Sequence, residues 1–315
     1  MKTRWVLIGC GKVVLKNDKS PLINDNNEIV GLITTNKKSA EKAIKKLGLN
    51  INLYDDYKSM LDSVSFDAIY IATPPKYHYE YLKKVNIYNK IVLVEKPFVL
   101  NYKEALDIYN LYKKNVYPLL YKGSTEKIKT IKDIIESNKY EEPIKIIGNF
   151  KRPFKAEYLD SWIYNSEISG GGRVFDIIEH ILEVLYYIFG NFKNVKSNVI
   201  KDSKYHNCET KVNANLYCGN IPTYLNFDME CDEYVDEITI YTNEYEIKFS
   251  VNNHDFIHII KNGKIIKEIN KPTNRIWGTE LITKINKIIN NEKVSYIPDL
   301  EVILKIQKCV DEIIN

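Results

Sequence analysis

Hydrophobic residues along the first third of the chain fall into short, nearly unbroken runs separated by amphipathic stretches. The runs are TRWVLIG (3–9), EIVGLIT (28–34), FDAIYIA (66–72), KIVLVE (90–95) and VYPLL (116–120). Several are continuously aliphatic, as expected of parallel strands buried on both faces. Between them, KKSAEKAIKKLG (37–48), DDYKSMLDSV (55–64), KYHYEYLKKV (76–85) and YKEALDIYNLYKK (102–114) read as helices. Pro74-Pro75 stands where the third helix would begin, a position that tolerates proline. This alternation predicts βαβ units on a doubly wound parallel sheet.

Beyond about residue 121 the pattern changes. A helical stretch (124–138) leads to a strand, PIKIIGNFKRPF (143–154), and a glycine triplet opens a long apolar helix (173–189). From 193 to 270 the chain reads as successive antiparallel strands, among them YLNFDMECD, DEITIYTN, YEIKFSV, DFIHII and GKIIKEI, with Asn262-Gly263 as a hairpin turn. Two helices, 275–291 and 299–313, close the chain. The expected class is α/β, with the parallel sheet in a domain spanning 1–121. A second α/β domain with an open, mainly antiparallel sheet is expected over 122–315.

Composition narrows the partners. Of 315 residues, 44% are hydrophobic, enough for a sizeable core. The net charge is only +4 and lysine is spread along the whole length, which argues against a nucleic-acid-binding face. Five widely spaced cysteines with no Cys/His cluster predict reduced thiols and no metal site. The apolar run at the N-terminus is too short for a secretion signal, and no segment reaches membrane-spanning length. The expected setting is cytoplasmic, with no membrane partner.

The candidate chemistry sits at strand ends. Strand one runs into Gly9-Cys10-Gly11-Lys12-Val13-Val14. A strand, Gly-x-Gly and then a helix bring backbone N–H groups up to a pyrophosphate. Val14 departs from the small third residue of the full fingerprint. Strand two ends in Thr34-Thr35, followed by Lys37 and Lys38, with no acid to hold a ribose diol. Hydroxyls backed by Lys38 tilt the preference toward NADP over NAD. Strand four of the pattern ends in Glu95-Lys96-Pro97, and the one before it in Ala72-Thr73-Pro74, with His78 close behind. Ligands of open α/β sheets bind outside these carboxyl ends. In SGGGRVFDIIEHILE (169–183), Asp176 and His180 share one face of an apolar helix.

The order GxG, ATPP-x-x-H, EKP and GGG-x-x-x-D-x-x-x-H resembles the Gfo/Idh/MocA family of oxidoreductases, over nearly the whole chain. The resemblance implies a Rossmann domain binding NAD or NADP. It implies hydride transfer to or from a hydroxyl-bearing carbon of a sugar, cyclitol or related polyol, and homodimers or homotetramers built through the C-terminal sheet. It places Lys96 beside the nicotinamide, and Asp176 and His180 at the reacting hydroxyl. The chain departs from the family at Lys122-Gly123, where an arginine pair is common, and at Ile163 after Trp162, where an arginine is common. Two alternatives stay open: a non-catalytic dinucleotide sensor of the same fold, and an NAD-dependent glycosidase.

Overall fold

The computed structural model describes residues 2–10, 22–154, 159, 161–202, 207–253, 255–272 and 278–315. By their contacts the residues form two compact units. One runs to Leu120 and takes in Asn274–Ile303; the other comprises Tyr121–Thr273 and Leu304–Asn315.

In the first unit, β1 (Thr3–Ile8), β2 (Asn27–Ile33), β3 (Leu53–Tyr54), β4 (Ala68–Ile71), β5 (Ile91–Val94) and β6 (Val116–Pro118) form one sheet in the order β3-β2-β1-β4-β5-β6. Every pairing is parallel. All four residues of β4 and of β5 are buried, as the unbroken aliphatic runs predict. Inside β1, the Trp5 indole N–H donates to Asn27 Oδ1 at 2.9 Å, so its one polar atom is satisfied. Helices α1 (Lys37–Leu47), α2 (Tyr57–Ser63), α3 (His78–Val85) and α4 (Tyr102–Tyr112) follow the predicted spans closely. The two-residue β3 is not anticipated, because it is too short to show a period.

Helix α7 (Thr279–Ile289) belongs to this first unit, with Leu281, Ile282 and Ile285 buried. A side chain at Gly278 would meet Leu119 at 3.0 Å. The expected single domain over 122–315 is corrected accordingly. A chain that returns to an earlier domain leaves no mark in hydrophobic periodicity.

The second unit holds α5 (Glu126–Glu136), β7 (Lys145–Pro153), α6 (Arg173–Phe189) and strands β8 (Phe192–Asp202), β9 (Cys208–Cys218), β10 (Ile221–Cys231), β11 (Val235–Tyr241), β12 (Tyr245–Phe249), β13 (Phe256–Lys261) and β14 (Lys264–Asn270). They form an eight-stranded sheet in the order β14-β13-β12-β11-β7-β10-β9-β8. Only β7–β10 is parallel. Asn262 and Gly263 turn the β13–β14 hairpin with φ of 51° and 72°, the left-handed pair that a two-residue turn needs. On the inner face Phe150 stacks on Phe227 at 5.1 Å, and α6 supplies Ile178, Ile181, Leu182 and Leu185 to the same core. The other face mixes polar residues with exposed Tyr217 and Tyr224. Asn198, Asn213, Asn226 and Asn149 stand in register across four strands, and Asn226 Nδ2 donates to Asn149 Oδ1 at 3.1 Å. Helix α8 (Leu300–Ile314) ends the chain. No helix among the described residues is long and apolar enough to cross a membrane.

Candidate functional site

Five strand ends of the first unit lie in register. Beyond the strands, backbone bonds run from Gly9 N–H to Ile33 O (2.8 Å), Ala72 N–H to Ile8 O (2.8 Å), Glu95 N–H to Ile71 O (2.9 Å) and Leu119 N–H to Val94 O (2.8 Å). The ladder therefore brings Gly9, Thr34, Ala72, Thr73, Glu95 and Lys96 to one edge, as the topology requires. Gly11, Lys12, Val13 and Val14 lie outside the described residues.

Gly9 has φ +95°, and a Cβ there would sit 2.8 Å from the Ala72 carbonyl and the Thr73 nitrogen. Its glycine identity thus serves the approach of β4 as well as the turn. Cys10 is buried, which pushes its thiol up to about 11 and leaves it unreactive. The Thr73 hydroxyl oxygen is buried without a hydrogen-bond partner. A cradle closed to any side chain and an orphaned buried hydroxyl both fit a dinucleotide bound along this edge. Replacing Gly9 by alanine is expected to cost about 3 kcal/mol of stability, from positive-φ strain and overpacking together, and to weaken dinucleotide binding. Chemical denaturation and a cofactor titration check it.

At the second strand end, the Thr34 hydroxyl accepts from the Asn36 N–H at 3.3 Å, while Thr35 and Lys38 are exposed. Lys37 is committed elsewhere: its ammonium pairs with Asp55 at 2.7 Å, and that hydrogen bond raises its pKa. Lys38 is the lysine left for a 2′-phosphate.

The sequence reading sets Glu95 and His78 against the cofactor. Both side chains make bonds within the fold. Glu95 is 6% exposed; it accepts from the Tyr70 hydroxyl and from the Lys96 N–H (3.3 Å). Burial and then the Glu95 charge push the Tyr70 phenol well above its ordinary range. His78 is fully buried. Nε2 faces the Thr73 carbonyl at 2.7 Å, and Nδ1 faces those of Pro97 (3.0 Å) and Phe98 (3.1 Å). The ring ties the end of β4 to the turn after β5. A neutral ring donates to one side at a time, and burial pushes this imidazole below its ordinary pKa despite the carbonyls. Half-buried Lys96 follows Glu95 in this braced turn, which contains a cis Lys96–Pro97 bond. Proline at this place is legible in the sequence; its isomer is not.

In the second unit, α6 carries Asp176 in its first turn, half-buried, and His180 one turn later at 9% exposure. An acid in the first turn is favoured by the helix dipole. The ring of Tyr121 meets His180 edge-on, with centroids 5.9 Å apart, and Lys122 lies over that tyrosine at 5.0 Å. The fully buried Glu183 accepts from the N–H groups of Lys122 (3.0 Å) and Gly123 (2.9 Å). This turn is thus fixed from α6 by a buried carboxylate. Lys127, 3% exposed, is driven down to about 8 by burial and by Lys122. Trp162 is 38% exposed, and Ile163 offers its carbonyl to the Cys208 thiol at 3.8 Å.

The sequence reading passes over Tyr70, Tyr121 and Glu183. A signal for Glu183 was available: a carboxylate three residues after His180 on an apolar helix demands a partner. Side chains at Gly171 and Gly172 would collide with Glu209 and Cys208 at the start of β9.

Comparison with known proteins agrees with both halves. Residues 3–121 match the family described as "Oxidoreductase family, NAD-binding Rossmann fold", and residues 128–247 match the "GFO/IDH/MocA C-terminal domain". Oxidoreductase P35 of Formosa agariphila is 27% identical over 275 residues, covering 84% of each chain. The D-xylose 1-dehydrogenase [NADP(+)] of Haloarcula marismortui is 26% identical over 50% of this chain and 42% of its own. Among solved structures, a 3-ketoreductase of Actinomadura kijaniata with NADP and TDP-benzene superimposes with a TM-score of 0.86 at 16% identity, covering 99% of this chain and 96% of that one. A levoglucosan dehydrogenase with NADH and levoglucosan gives 0.79 at 17% identity, with coverage of 99% and 96%.

Proposed function

Because the chain belongs to the Gfo/Idh/MocA family of NAD(P)-dependent oxidoreductases, we propose that it moves a hydride between nicotinamide and a hydroxyl-bearing carbon, or the matching ketone, of a sugar or cyclitol. The observation that carries this reading is the placement of Asp176 and His180 on successive turns of a helix whose inner face is otherwise largely aliphatic. Relatives named for D-xylose, levoglucosan and scyllo-inositol dehydrogenation support the substrate class.

Bound nicotinamide supplies the hydride chemistry. The chain's own groups handle the proton. Oxidising an alcohol also removes its hydroxyl proton, and an imidazole suits that task because its ordinary pKa lies near neutrality. His180 is the general acid/base, Asp176 orients the hydroxyl, and the Lys96 ammonium stabilises negative charge on the oxygen as the proton leaves. Tyr121 limits the ring positions open to His180.

Thr34, Thr35 and Lys38 favour NADPH over NADH. Lys38→Ala is expected to weaken NADPH by about tenfold, one charge-assisted contact, and to leave NADH unchanged; paired titrations check it. The open face of the eight-stranded sheet is where copies of the chain meet. The whole reading is tested by following nicotinamide absorbance while sugars and cyclitols are screened with both cofactors. Net, stoichiometric turnover of one of them supports it. Glycoside cleavage with no net change in nicotinamide would replace it with the hydrolase reading.

A further inference from the structure

The glycines before α6 make room for a carboxyl group. A side chain at Gly171 would meet Oε1 and Oε2 of Glu209 at 2.6 Å each. One at Gly172 would meet the Cys208 Cβ at 2.7 Å. Glu209 stands on β9, only 2% exposed, and its Oε2 has no hydrogen-bond partner. A buried carboxyl oxygen without a partner is costly and calls for an explanation.

The charged and titratable surroundings are few. Lys201 is the cross-strand partner of Glu209 on β8. Cys208 precedes it on β9, with its thiol pushed up to about 12 by burial. The first turn of α6 contributes Arg173 and Asp176. Ser169, in the helical turn before the triplet, is neutral.

We propose that Glu209 is a positioning residue for α6: it holds a proton inside the fold, and losing that proton loosens the helical turn that carries Asp176. The link to catalysis rests on the role given to Asp176 above; the proton-linked support of the helix does not. Burial raises this carboxyl to about 7, against smaller pulls from its own backbone N–H and then from Lys201. The folded value thus lies above the unfolded one, so the protonated form favours the closed structure. That stabilisation is complete at acid pH and is lost as pH rises through about 7.

Hydrogen exchange of the full chain, followed by mass spectrometry on peptides covering 165–180, tests the proposal between pH 5.5 and 8. After correction for intrinsic exchange, opening of the first turn should rise by roughly tenfold across this range. In Glu209→Gln, which keeps the shape but not the proton, the rise should vanish. Lys201 is exposed, so Lys201→Met leaves the core intact. It should move the midpoint to higher pH, and do nothing in the Glu209→Gln background. If Glu209→Gln does not fold, Lys201→Met alone decides. A flat parental profile, a rise that survives Glu209→Gln, or a midpoint indifferent to Lys201→Met would overturn the proposal. Failure of the protein to bind NADH or NADPH would instead remove the oxidoreductase reading and leave these results standing.

Discussion

His180→Ala is expected to lower kcat by about 10²–10⁴-fold while the dissociation constant for NADPH stays within about twofold, the pattern of a general acid/base removed alone. His180 is 9% exposed on α6 and stands edge-on to Tyr121. The strand ends that fit the dinucleotide belong to the other compact unit and contain none of these residues. Truncating the imidazole should therefore remove the proposed proton acceptor and leave those strand ends alone. The two backbone bonds that Glu183 accepts do not involve the ring, so the Lys122–Gly123 turn should persist. Steady-state kinetics with the best sugar from the screen, beside a cofactor titration, give both numbers. Unchanged kcat would take His180 out of the mechanism.

The second large effect is expected at Lys96. Lys96→Met keeps the length and apolar stem of the side chain but removes its charge. Loss of one preorganised group that stabilises a developing oxyanion costs about 10²–10³-fold in kcat. The turn itself should survive, because Glu95 is held by Tyr70 and the following carbonyls by His78. The loss should therefore fall on kcat, with only a modest change in the cofactor dissociation constant. An equal loss in Lys96→Arg would show that geometry as well as charge is required. An inert Lys96→Met would withdraw the role assigned to the lysine.

Much of this was legible in the sequence. The aliphatic runs at 68–71 and 91–94 could only be buried strands, and the residues at their ends had to share one edge of a parallel sheet. The helix 173–189 was readable to the residue because glycine bounds it at both ends. What the sequence hid were tertiary relations. His78 looked like a ligand-facing residue because its motif follows a strand end, but only the fold shows its ring clamped between carbonyls of two strands. Nothing around the glycine triplet announces that Gly171 lies against Glu209, from a strand more than thirty residues later. The return of α7 to the first unit carries no periodic signature at all. In each case a residue's partner comes from a distant part of the chain, which composition and spacing do not encode.

The central claim is that the strand ends at Gly9, Thr34 and Thr73 hold a dinucleotide. Titration of the purified protein with NADH and NADPH, followed by nicotinamide fluorescence, tests it most directly. The account predicts saturable binding of both, tighter for NADPH. Absence of binding by either cofactor to correctly folded protein would contradict it, and the dehydrogenase reading would fall with it.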